Sequence, residues 1–233
     1  GKQVSTGTQC TFIGAFAGES VSSNRLTGSK HACLGYKAGK LIQGASEGNT
    51  LIGWEAGDGI TTGSDNVGVG RATAFDVDAD NQICIGYQAT TSAANSVKIG
   101  NASIANANIQ VDWTIDSDKR IKKDIEDNTL GLAFINDLKP KKYKKLHPAD
   151  WDEAIREKRY ENGTRDEFDD KKVWDGLIAQ EVKEAIEKSG TSFSGWSVDA
   201  NGKQGIQYSA LVIPLINAVQ ELSKEVERLK NEL

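Results

Sequence analysis

The chain has no methionine and only three prolines, two histidines and three cysteines in 233 residues. Each scarcity excludes something. No run approaches the ~20 apolar residues of a bilayer span, so neither a membrane-crossing helix nor a membrane partner is expected. Residues 1–30 lack the charged, apolar and small-residue regions of a secretory signal. Cys10, Cys33 and Cys84 are odd in number and have no metal-ligand spacing, which predicts free thiols, a reducing compartment and no bound metal. His147, followed by Pro148, has no Ser or Cys motif around it and reads as a surface residue. A net charge of −5 gives none of the basic excess that nucleic acid requires, and no cofactor is expected. With Gly1 first and methionine missing, the chain is expected to be a piece of a longer protein.

What is present is unevenly divided. Residues 1–116 hold 17 of the 24 glycines with 7 basic and 10 acidic residues; residues 117–233 hold 7 glycines with 21 basic and 23 acidic. The nets, 7 − 10 = −3 and 21 − 23 = −2, are alike. The halves therefore differ in architecture and not in sign of charge.

The first half repeats. Phe12-Ile13-Gly14-Ala15-Phe16-Ala17-Gly18 is followed by Cys33-Leu34-Gly35-Tyr36-Lys37-Ala38-Gly39 and Leu51-Ile52-Gly53-Trp54-Glu55-Ala56-Gly57. Looser copies follow at Val69-Gly70, Cys84-Ile85-Gly86-Tyr87-Gln88-Ala89 and Val97-Lys98-Ile99-Gly100. The anchor glycines 14, 35, 53, 70, 86 and 100 lie 21, 18, 17, 16 and 14 residues apart, which means variable loops on a constant rung. Each run alternates like a strand, is often preceded by Asn, and ends at a glycine that permits a tight corner. One such rung buries too little to stand alone, so it must stack on its neighbours or wrap around identical chains. These rungs resemble the repeats of trimeric adhesin heads and phage fibre shafts. Tyr36, Trp54 and Tyr87, all just after an anchor glycine, would either pack rung on rung or stack on sugars; packing is the expectation. Asp76, Asp78 and Asp80 alternate as cation ligands might, but no calcium-loop pattern follows and a solvated loop is expected.

At the boundary stands Asp116-Ser117-Asp118-Lys119-Arg120-Ile121-Lys122. Cleaving a peptide with a hydroxyl needs an activated oxygen, a proton acceptor and a group facing the oxyanion. Ser117 supplies the oxygen. Lys122 would be the base if desolvation or nearby cations lower its pKa from ~10.4 towards ~7–8. Arg120 is a candidate for the oxyanion. A separation of five residues places the two side chains on opposite faces of a strand and roughly 140° apart on a helix. Either the segment turns between them, or Ser117 of one chain meets Lys122 of another. Taken locally, the stretch is also an ordinary polar linker.

The flanks favour the chemical reading. Ser117-Asp118-Lys119-Arg120-Ile121-Lys122-Lys123-Asp124-Ile125 is followed by Leu138-Lys139-Pro140 with Tyr143, by Gly176-Leu177-Ile178-Ala179-Gln180-Glu181-Val182, and by Tyr208-Ser209-Ala210-Leu211-Val212-Ile213-Pro214-Leu215. In that order these motifs resemble the C-terminal intramolecular chaperone and autocleaving endopeptidase of phage tailspikes, tail fibres and neck appendages, over about 117–233. The resemblance implies a domain that trimerises, guides folding of the preceding β-shaft and is removed by cutting between Asp116 and Ser117. It also implies a Ser–Lys dyad at Ser117 and Lys122, with Asp118 and Arg120 matching the motif in support. Residues 146–173 depart from it as an insertion expected to carry a helix from Asp150 to about Tyr160.

The lysines around Tyr143 read as a solvated strand, and the second half as a small α+β unit. Its last helix shows Val212, Leu215, Val219, Leu222, Val226, Leu229 and Leu233 in alternating steps of three and four, a coiled-coil seam. Val at a with Leu at d favours dimers, whereas the resemblance implies a trimer; the apparent need of the shaft for three chains decides for the trimer.

The expected fold is mixed: an elongated trimeric β-helix or β-roll shaft over 1–112, a junction with the cleavage site over 113–125, an α+β chaperone over 126–208 and a parallel coiled-coil helix over 209–233. The expected function is a chaperone that templates the shaft and then cuts itself off once, as a serine endopeptidase. Expected partners are two further copies of the chain, upstream domains of the same fibre, and a host surface reached through the mature shaft. Assembly would occur in the host cytoplasm, the shaft passing to the virion. The alternative is a structural adhesin fragment that never cuts. A glycan-degrading enzyme would need paired carboxylates, and no cluster stands out as one.

Overall fold

The computed structural model describes residues 1–156, 160, 162–163, 165 and 168–232. It divides into two compact units, Gly1–Asn106 with Pro148–Phe168, and Ala107–His147 with Asp169–Leu233.

In the first unit every repeat contributes one short strand: β1 (Thr11–Ile13), β2 (Ala32–Leu34), β3 (Thr50–Ile52), β4 (Val67–Val69), β5 (Gln82–Ile85) and β6 (Ser96–Ile99). They form one parallel sheet in chain order, each strand pairing with the next. This is a β-solenoid-like arrangement, and the repeat explains it. Each strand runs into an anchor glycine with positive φ, and a Cβ on Gly35 would lie 2.2 Å from the carbonyl oxygen of Gly53. The rungs therefore stack closely only because that corner has no side chain.

Alternation along the strands divides the faces. Phe12, Cys33, Leu51, Gly68, Cys84 and Lys98 share one register; Ile13, Leu34, Ile52, Val69, Ile85 and Ile99 share the other. Cys33, Leu51 and Cys84 are fully buried. The alanines of the repeat, Ala17, Ala38, Ala56 and Ala89, are buried too, since a narrow coil has room there for a methyl group and little more. The inward row ends on Lys98 at the last strand, where a charge discourages a further strand from adding on. All three cysteines are free. Burial pushes the Cys33 thiol up to about 12 and raises that of Cys84, so both pack as small apolar groups.

Beneath the strands runs a buried polar ladder. Asn66 N–H donates to Asn49 Oδ1 at 3.0 Å, and Gln82 N–H to Asn66 Oδ1 at 2.9 Å. Asn49 Nδ2 donates to Ser46 Oγ and to the Gly63 carbonyl, both at 2.9 Å, and Thr91 Oγ1 donates to Gln82 Oε1 at 2.8 Å. His31, one rung earlier, donates from Nε2 to the Ser46 carbonyl at 2.9 Å and accepts from Asn49 N–H on Nδ1 at 3.4 Å. These partners fix the neutral tautomer.

Residues 150–156 do not form the expected helix. Two 3₁₀ turns occupy Pro148–Asp150 and Glu153–Ile155, and the rest of that expectation falls at 157–159, outside the described residues. Local side chains compete for the backbone: Asp152 accepts from Ala154 N–H, and the Arg156 guanidinium takes the Trp151 carbonyl.

In the second unit α1 (Leu132–Asp137), α2 (Ala179–Ser189) and α3 (Val212–Asn231) accompany two antiparallel pairs, β7 (Lys141–Lys144) with β8 (Val173–Gly176) and β9 (Trp196–Val198) with β10 (Gln204–Ile206). Leu130, Phe134, Val182, Ala185, Phe193 and Leu211 form its core. α1 starts at Gly131, which has no side chain to cap it. Glu221 of α3 does so instead, accepting from Leu132 N–H at 3.0 Å, while Asn217 donates to the carbonyls of Asn128 and Leu130 at 2.8 and 3.0 Å. α3 thus binds its own unit through one face, with Pro214 and Ala218 buried. Val212, Leu215, Val219, Leu222, Val226 and Leu229 remain exposed. Leu233 lies outside the described residues. Glu225 pairs with Arg228 of its own helix at 2.6 Å.

Candidate functional site

Residues 104–129 are exposed throughout, and they include Ile109, Val111, Trp113, Ile115, Ile121 and Ile125. Within this run lies one short ordered turn. Asp118 is extended (φ −65°, ψ 137°) and its carboxylate accepts from Arg120 N–H at 2.8 Å, capping a 3₁₀ turn over Lys119–Ile121. Ile121 N–H donates to the Asp118 carbonyl at 3.2 Å and Lys122 N–H to the Lys119 carbonyl at 3.1 Å. Lys122 leaves the turn extended (φ −116°, ψ 145°).

The turn draws the two side chains together: Lys122 Nζ donates to Ser117 Oγ at 2.6 Å. A separation of five fits neither a strand nor a helix, but extended residues on both sides of one tight turn fold the ends back on each other. The two atoms are within hydrogen-bond reach. In the single chain the turn makes this contact.

Asp118 and Arg120 have a definite place as well. Arg120 Nε and Nη2 donate to Asp118 Oδ1 and Oδ2 at 3.0 and 2.7 Å, a two-pronged clamp across the turn. The clamp holds the Asp118 carboxyl below its ordinary range and raises the Arg120 guanidinium. With both prongs on Asp118, Arg120 braces the turn. Asp116, Ser117, Asp118, Arg120 and Ile121 line a shallow depression of about 380 Å³.

A family comparison bears on this same turn. Residues 117–191 match the family model of Peptidase S74, the chaperone of endosialidase. The match begins at Ser117, takes in Lys122 and runs through α1, β7, β8 and α2. It covers less than half the chain, supports a chaperone role for that stretch, and concerns a family associated with self-cleaving peptidases. No curated protein matches the chain.

The other expected groups are engaged structurally. Tyr36 and Trp54 stack with centroids 6.1 Å apart, and Arg71 lies 6.0 Å from the Trp54 ring and 4.2 Å from that of Tyr87. These rings pack on neighbouring rungs and remain partly exposed. Asp78 accepts from Thr62 Oγ1 at 2.7 Å and also from Thr61, and Asp80 accepts from Ser64 N–H at 2.7 Å, so both tie loop to loop. Among the lysines, Lys141 pairs with Glu181, and Lys145 and Lys172 sit 4.0 and 4.1 Å from the Trp174 ring.

Sequence reasoning missed the Asn49–Asn66–Gln82 ladder and the Glu221 cap. The ladder left a signal: Asn49 and Asn66 stand just before β3 and β4, and Gln82 opens β5. The cap left none, since Leu132 and Glu221 are 89 residues apart.

Proposed function

We propose that residues 117–233 act as an intramolecular chaperone that trimerises, templates the preceding β-shaft and is released by one self-cleavage between Asp116 and Ser117. The observation that carries this is the 2.6 Å contact between Lys122 Nζ and Ser117 Oγ at the first residue of the family match. Neutral Lys122 takes the Ser117 hydroxyl proton while Oγ attacks the Asp116 carbonyl carbon. The peptide C–N bond breaks, the proton passes to the leaving nitrogen, and an Asp116 ester on Ser117 remains. Water hydrolyses that ester, leaving the Asp116 carboxylate and the free hydroxyl and amine of Ser117.

A lysine base must first lose water, and a single chain leaves this turn exposed. Packing the neighbouring Ile115, Ile121 and Ile125 against other copies would dry it, so the cut would follow assembly. Templating has a physical motive. A shaft wound from several chains has high contact order, and an assembled trimer beside it raises the effective concentration of its strands and aligns their register. Removal of the chaperone afterwards leaves a shaft whose persistence is a matter of unfolding rate. In this reading the exposed face of α3 is the trimer seam, and other domains of the same fibre are partners. Assembly takes place in the host cytoplasm, and the mature shaft meets the host surface from the virion.

Incubating the purified chain and weighing it tests the proposal. Fragments 1–116 and 117–233 are expected, and none from Ser117→Ala; a parent chain intact at every concentration and temperature would sink it. If the contact within one chain is the working dyad, mixed Ser117→Ala and Lys122→Ala subunits stay uncut; cutting restored only in mixed oligomers means that the dyad crosses chains. The second reading, a permanent structural fibre, draws on the full exposure of the turn, and the same weighing decides between them.

A further inference from the structure

The outward row of the solenoid sheet is Ile13, Leu34, Ile52, Val69, Ile85 and Ile99, one residue per rung in unbroken register. Every member is aliphatic, and each is between 36% and 62% exposed. A sheet face bathed in water carries polar side chains at such positions, because nothing is gained by lining up branched aliphatics there. The core of the solenoid does not use them: it lies on the opposite face, where Cys33, Leu51 and Cys84 are already fully enclosed. Beside the row runs the exposed aromatic corner of Phe16, Tyr36, Trp54 and Tyr87.

We propose that this row is the seam along which copies of this chain meet in the shaft. It rests on the reading of the chain as a homo-oligomeric fibre and adds the surface that joins the shafts, separate from the seam on α3. Three observations select a second copy as the occupant. The row has no charge to desolvate, although residues 1–116 carry 7 basic and 10 acidic residues. It advances one residue per strand, about 4.8 Å, and an identical chain offers the same ladder at the same pitch. The coils shorten from 21 to 14 residues between anchor glycines. Copies related by rotation about an axis parallel to the solenoid keep equal coils level and set each residue against its own counterpart, whereas a reversed copy sets long coils against short. The area is of the right order as well: with about 150–250 Å² per aromatic side chain, six half-open aliphatics and the neighbouring corner approach the ~800 Å² per partner of a standard interface.

The test uses the whole 233-residue chain with Ser117→Ala, so that both halves stay joined, plus either Ile52→Cys or, as a control, Ser22→Cys on the loop between β1 and β2. The chain without either added cysteine gives the background from Cys10. Under mild oxidation Ile52→Cys is expected to link like to like, moving two chains of every three to twice the chain mass on a non-reducing gel, with Ser22→Cys at background. An oligomer in which Ile52→Cys fails to link, or links no more than Ser22→Cys, overturns the seam and leaves the chaperone proposal standing. An oligomer in which a maleimide modifies both cysteines at the same rate also overturns it, and marks the row as a surface for a glycan or a different protein. A chain that is monomeric at every concentration overturns the seam and the trimeric chaperone together, and the two failures are told apart by mass.

Discussion

The ladder from His31 to Gln82 and the turn from Ser117 to Lys122 are both chains of side-chain hydrogen bonds, set in opposite surroundings. In the ladder His31, Asn49, Asn66 and Gln82 are at most 1% exposed, and each described link has a defined donor and acceptor. Around Ser117 every residue from 104 to 129 is open to water. Deep burial makes the ladder costly to break and gives it a structural role, since an orphaned amide there cannot turn to solvent. Exposure leaves the turn cheap to rearrange. Its geometry is formed, but in a single chain the turn stands in water, where electrostatic interactions are weak. The interior of the solenoid is enclosed within one chain, whereas the junction is left open to water.

The largest expected effect separates the regions outright. Ser117→Ala removes the nucleophile and should abolish release of 1–116, read by mass spectrometry, while the melting of the uncut chain stays as it was. A change in melting of the same size as that from a core variant would erase the contrast. Leu51→Ala acts in reverse: it empties a fully buried site in the solenoid and should lower stability by about 2–5 kcal/mol in denaturant titration. If cutting waits for a folded shaft, fragment release from that variant also slows in proportion to its unfolded fraction.

Asp118→Ala removes the cap and clamp of the turn and leaves both members of the dyad. Misplacing a base by about an ångström costs on the order of 10²-fold in rate. Asp118→Asn, which can still accept from Arg120 N–H, should recover part of it; equal rates for all three chains would remove Asp118 from its positioning role. Asn66→Ala orphans Gln82 N–H in the buried ladder and should cost about 1–3 kcal/mol without altering the cutting rate of the fraction that folds.

The smallest effect is a pH dependence. Burial lowers the pKa of His31 from 6.5, outweighing the hydrogen bond to Ser46 and the charge of Glu47. The folded chain therefore binds this proton less readily than the unfolded chain. Its contribution to stability is fully present above pH 6.5 and declines as the pH falls through that value. His31→Gln should flatten the curve between about pH 7 and 5, a window set by the ordinary histidine value. A parent curve already flat there would show that the ladder tolerates the charge.

Much of the fold was legible because backbone geometry is periodic. Alternation before each anchor glycine marked the strands, and the spacing of Val212, Leu215, Val219 and Leu222 marked a helix with an apolar stripe. The segment after Pro148 was misread because Asp152 and Arg156 take backbone groups that a helix needs, a competition that apolar spacing does not register. Tyr36 and Trp54 were legible as a column, but only their stacking shows that each ring face meets another rung.

By itself, the sequence determined the number of rungs, the corners where glycine must stand, the placing of alanine inside the coil and the residue types at the junction. These follow from fixed rises and dihedral limits along the chain. Tertiary structure decided which polar groups meet. Five residues separate Ser117 from Lys122, a spacing that suits no regular element, so only the Asp118-capped turn brings Nζ to Oγ. Glu221 caps a helix 89 residues away because α3 packs against α1. Such contacts depend on where distant segments come to rest, and no local period encodes that.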